Sequence, residues 1–76
     1  MDTKAIQVGD QVRAITDRIM EFEGMEPWFI WKAGQILNVR GIVQHEGGRE
    51  FLINLDTGSD WENVPESLIP ELFVAA

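Results

Sequence analysis

A chain of 76 residues with 13 acids, six bases and no cysteine can enclose one apolar core and has no thiolate to cross-link it or bind a metal. Its net charge of −7 opposes binding to nucleic acid and to anionic membrane, both of which are held by clustered lysine and arginine. No apolar run approaches the ~18 residues of a membrane span, and MDTKAIQVGD lacks the basic-then-apolar opening of an export signal, so the expectation is one cytoplasmic domain over residues 1–76.

Strand signals dominate in chain order. VGDQVRAIT, residues 8–16, opens on a Gly9-Asp10 turn and then alternates, with Val12 and Ala14 on one face and Arg13 and Ile15 on the other. DRIMEFEG, residues 17–24, fits either two turns of helix capped by Asp17 and ended by Gly24, or an irregular excursion. In EPWFIWKAGQILNV the segment from Gly34 predicts a long curved strand, with Leu37, Val39 and Val43 on one face and a bend or bulge near Gln35 or Gly41. Gly47-Gly48 predicts a two-residue hairpin turn, FLINL an inward Phe51, Ile53 and Leu55, and DTGSD a turn at Gly58. DWENV predicts a short strand, ESLI between Pro65 and Pro70 a single 3₁₀ turn, and LFVA a closing strand.

The fold class expected from this is all-β: a single five-stranded barrel with a long first loop and a 3₁₀ turn before its last strand. Closure is favoured because open edges on so small a sheet template aggregation. From about residue 8 to residue 74 the chain resembles a Src homology 3 (SH3-like) barrel. VRAITD at 12–17 stands where that family has its first strand, Asp17 to Phe29 where it has a long acidic loop, and WKAGQILNV at 31–39 is similar to its aromatic-Lys-Lys-Gly-Asp-x-Leu-x-Val run. VPESLI at 64–69 resembles the family's Phe-Pro-x-Asn-Tyr-Val segment. The resemblance implies a peptide-binding groove, of which Pro65 is the matching residue and Leu68 stands for the last tyrosine. Ile15 and Thr16 fall near the first pair of tyrosines, and Glu50 or Phe51 near the family's tryptophan. With no tyrosine in the chain, the aromatic ridges on which polyproline helices stack are absent. LIPEL at 68–72 is also similar to the ends of small bacterial barrels that dock onto photosynthetic or redox complexes.

The chemistry-bearing residues point away from catalysis. His45, the one histidine, lies beside the glycine hairpin and far in sequence from a serine nucleophile, so the expectation is no enzyme and no cofactor. Asp56, Asp60 and Glu62 around Gly58 lack the spacing and bidentate closing glutamate of a calcium loop, and turn chemistry accounts for them. The aromatics carry the functional reading. Trp28, Phe29, Ile30 and Trp31 cannot all point inward in an extended segment, so one tryptophan is expected to face water unless the rings plug the ends of the barrel. Residues 1–49 hold seven acids and six bases, a balance of −1, whereas residues 50–76 hold six acids and no base, a balance of −6. The expectation is a non-catalytic protein-interaction module or accessory subunit. Trp28, Trp31, Trp61, Pro65 and Leu68 would anchor a basic or apolar peptide, and Glu21, Glu23, Glu26 and Asp60 would steer it. The alternative is an acidic decoy that mimics nucleic acid and occupies a DNA-binding protein.

Overall fold

The computed structural model describes residues 1–55 and 59–76, and the Gly58 turn expected from DTGSD lies outside the described residues. Among the described residues the chain is all-β apart from short turns of helix, with seven strands in two sheets rather than the five of the expected barrel. Strands β1 (Gln11–Ala14), β4 (Ile36–His45), β5 (Gly48–Asn54), β6 (Trp61–Pro65) and β7 (Phe73–Ala75) form one antiparallel sheet in the order β6-β5-β4-β1-β7. Its two edges are not paired with each other, so the sheet is not a closed barrel. The second sheet is a hairpin of β2 (Arg18–Met20) and β3 (Trp28–Trp31).

One face of the large sheet carries the core. Val12 and Ala14 alternate inward on β1, as their spacing predicts, with Arg13 and Ile15 outward. Phe51 and Ile53 are fully buried on β5, and Leu55 packs against them. Ile6 also joins the core, ahead of the expected start at residue 8. A lone sheet has no second layer to cover its face, so the segment between its two edges does this. A 3₁₀ turn at Glu66–Leu68 and a one-turn helix α1 (Ile69–Leu72) run from β6 to β7 and sink Ile69 into the core. Pro70 therefore does not end the turn. It sits early in α1, where a missing N–H leaves no hydrogen bond broken.

The bend expected near Gly41 is present as a register shift between Val39 and Gly41 against β5. Its consequence corrects the face assigned to Val43: the extra residue moves the alternation by one, so Ile42 opposite Phe51 packs on the core and Val43 is exposed. The hairpin after β4 also turns one residue earlier than expected. His45 pairs with Gly48, leaving Glu46 and Gly47 in the loop, and the positive φ of 135° falls on Gly48.

Residues 17–24 are not helical. After β2 the chain turns back, with Gly24 at φ 77°, and the expected long loop is largely a two-stranded arm. Asp17 does not cap a helix, because its Oδ1 accepts the backbone N–H of Ala33 at 2.8 Å and ties the base of the arm to the Gly34 turn. The molecule extends 40 Å along its longest axis, with a radius of gyration of 12.6 Å. A compact domain of this length has a radius of gyration of about 11 Å.

Candidate functional site

The arm is positioned by Trp31. This ring is 1% exposed, lies 5.1 Å from the Phe73 ring centroid to centroid, and donates its indole N–H to the Thr16 carbonyl at 3.0 Å. Burying a tryptophan with its polar edge satisfied makes it a structural peg, so Trp31 is core and not the partner anchor the sequence suggested. A second tie spans the outside: Arg18 on β2 donates to Glu62 on β6 at 2.8 Å.

Strict alternation places Phe29 on the same face as Trp31. The β2–β3 register shifts between Arg18 and Ile19, so Arg18 faces Trp31 while Ile19 faces Phe29, and Ile30 is the extra residue. That bulge frees Phe29 from the core face. Phe29 and Trp28 are both exposed, Trp28 to 62%.

Trp61, 46% exposed at the start of β6, stands on the large sheet across from these rings. Between arm and sheet opens a cleft of about 510 Å³, lined by Met20, Trp28 and Phe29 from the arm and by Leu55, Asp60, Trp61 and Glu62 from the sheet side. Ile30, Trp31, Lys32 and Gln35 complete its lining. The cleft thus unites Trp28, Trp61 and Asp60 of the expected site. Met20, Phe29 and Leu55 escape the sequence reading because residues 17–24 do not read as a strand, Phe29 reads as a candidate for the core and Leu55 reads as inward.

Pro65 and Leu68 lie elsewhere. They line a smaller hollow of about 240 Å³ with Arg18, Glu62 and Leu72. Trp31, Arg18 and Glu62 separate the two hollows: the peg and Glu62 line both, and Arg18 lines the smaller one. Glu21, Glu23 and Glu26 line neither hollow; they are exposed at the apex of the arm.

The electrostatics of the cleft are mixed, not uniformly acidic. Lys32 Nζ sits 4.8 Å over the Phe29 ring, and the Arg40 guanidinium sits 4.2 Å over Trp61. Glu62 is engaged by Arg18, whereas Asp60 makes no ion pair among the described residues.

On the far side, Arg49 binds Glu66 through two hydrogen bonds of 2.6 and 3.3 Å and reaches the Thr3 carbonyl at 3.0 Å, pinning the N-terminal turn. The Arg49 bonds, and then one from Thr3, hold the Glu66 carboxyl below the usual carboxylate range, against the opposing effect of desolvation. The same contact with Glu66 raises the Arg49 pKa. His45 faces Glu50, and Ser67 lines the same shallow hollow, so the fold brings a serine nearer His45 than sequence separation suggested. The imidazole Nε2 is taken up by Glu50.

No protein-family model matches the chain, and no curated protein or solved structure matches it significantly.

Proposed function

We propose that this protein is a non-catalytic interaction module or small accessory subunit, related to SH3-like barrels, that captures a basic, partly apolar protein segment in the cleft between its arm and its sheet. The observation that carries this reading is the exposure of Trp28 and Trp61 toward one cleft. Monomeric domains leave few large rings in water, and paired aromatics in a concave site are the usual anchors of a binding surface. The resemblance to SH3-like barrels is supported by the five-stranded sheet, by the arm in place of a long first loop, and by the 3₁₀ turn at Glu66–Leu68 before β7.

Charge selects the partner's sign. The net −7 and the apex glutamates Glu21, Glu23 and Glu26 attract a basic segment and repel phosphate backbones. Less supports an acidic decoy of nucleic acid, because Glu50, Glu62 and Glu66 are each bound to a cationic or histidine partner in the chain and do not form a free row of charge.

The test is a titration of the ¹⁵N-labelled protein with lysine- and arginine-bearing apolar peptides, followed through amide and indole shifts. Movement centred on residues 18–31 and 59–62, weakened in Trp28→Ala and Trp61→Ala, is the expected result. Shifts confined to the Pro65 and Leu68 hollow, or no shift with any peptide, count against this site. Displacement of a bound basic protein by duplex DNA would favour the decoy.

A further inference from the structure

Two aromatic rings of the cleft already hold cations belonging to the chain itself: Lys32 on Phe29 and Arg40 on Trp61, within 4.8 and 4.2 Å. Both distances fall inside the range over which a ring quadrupole attracts a cation. Trp28, the most exposed ring of the three, carries none among the described residues. Arg40 is not among the residues lining the cleft, whereas Trp61 is. Asp60 adds a carboxylate to the lining with no ion-pair partner among the described residues.

We infer that the cleft is a cation site in which an arginine side chain of the partner lies against Trp28 and Trp61 with its guanidinium directed at the Asp60 carboxylate. The inference rests on the interaction reading above. A guanidinium suits this lining better than an ammonium. It is planar and weakly hydrated, stacks on aromatic faces, and meets a carboxylate through two parallel N–H bonds. At about 510 Å³ the cleft exceeds one side chain, so residues flanking the arginine have room against Met20 and Leu55. A second copy of the chain is opposed as occupant by the −7 that each copy carries. Lys32 is a resident competitor: its ammonium occupies part of the lining and repels the entering guanidinium.

The full chain is titrated with N-acetyl-arginine amide, with the neutral isostere N-acetyl-citrulline amide and with N-acetyl-norleucine amide, reading the indole N–H shifts of Trp28 and Trp61. Arginine amide is expected to move both indoles saturably and to bind more tightly than citrulline amide. Asp60→Asn should weaken it by roughly two- to fivefold, as loss of an exposed charge pair does. Trp28→Ala should weaken it by a similar factor, about two- to fivefold for one exposed cation–ring contact, and Lys32→Gln should tighten it by roughly twofold. Unchanged melting of each variant establishes that its fold is kept. Equal binding of all three amides, or arginine binding indifferent to Asp60→Asn, overturns the cation site and leaves an apolar interaction surface standing. Failure of all three amides while a basic peptide still binds overturns it as well. Failure of amides and peptides alike removes the interaction reading too.

Discussion

Truncating Trp31 to alanine removes a ring packed on Phe73 and bonded to the Thr16 carbonyl, and deleting a buried aromatic costs about 3–5 kcal/mol. Net stabilities of small domains are of that same order, so Trp31→Ala is expected to be largely unfolded in a urea titration followed by far-ultraviolet circular dichroism. Trp28→Ala in the same titration should stay within about 0.5 kcal/mol of the parent, because its ring is mostly in water. Equal effects of the two substitutions would contradict a buried Trp31 and a Trp28 mostly in water. Gly34, at φ 89°, makes a separate contribution. A Cβ there meets nothing within 4 Å, so Gly34→Ala should lose only the backbone cost of a left-handed residue, about 1–2 kcal/mol, visible as a lower denaturation midpoint with an unchanged slope.

Of the elements, the β2–β3 arm is the one that needs outside support. Two-stranded hairpins are marginal in water, and every described residue of β2 and of the following turn is exposed. Three ties hold the arm at its base: the Trp31 peg, the bond from Ala33 to Asp17, and the Arg18–Glu62 ion pair. With Arg18 about half exposed, that pair contributes roughly 0.2–1 kcal/mol, too little to govern global stability but comparable to the cost of opening a hairpin. Glu62→Gln should therefore leave the melting curve nearly unchanged while amides 18–20 and 28–30 exchange with deuterium several-fold faster. Exchange unchanged in that segment would show that the pair does not restrain the arm. The β4 bulge illustrates how far an element can be read from residues alone. Gly41 marked it, but the face reached by Val43 depended on which residue was left unpaired against β5.

On the scale of the whole molecule, charge and pH act through different groups. Glu66 has its pKa depressed in the folded chain, so its contribution is present above the unfolded value and is lost as pH falls through the lower, folded value. Acid titration of thermal stability should show a decline through and below the usual carboxylate range, and Glu66→Gln should flatten part of it. An identical acid limb in the variant would contradict the assignment. The N-terminal turn should loosen along the same limb, because Arg49 joins Glu66 to Thr3. The affinity of the proposed basic partner, in contrast, should fall with added salt at neutral pH, since the apex glutamates lie in solvent where a Debye length of roughly 8–10 Å screens them.

The sequence by itself determined the β class, the inward rows Val12/Ala14 and Phe51/Ile53, the 3₁₀ turn after Pro65, and the net charge of the chain. These depend on short-range alternation, on the fixed φ of proline and on a sum of charges, none of which requires knowing a distant neighbour. The tertiary structure alone decided that the sheet stays open with a separate arm, that Trp31 is peg and Trp28 is exposed, and that Trp28 meets Trp61 and Asp60 across a cleft. Residues 28–31 are apolar throughout, so their faces were set by one extra residue in the register with β2. A bulge leaves no periodic trace in so short a strand, and the side of the arm that faces Trp61 is settled by packing over some thirty residues of separation.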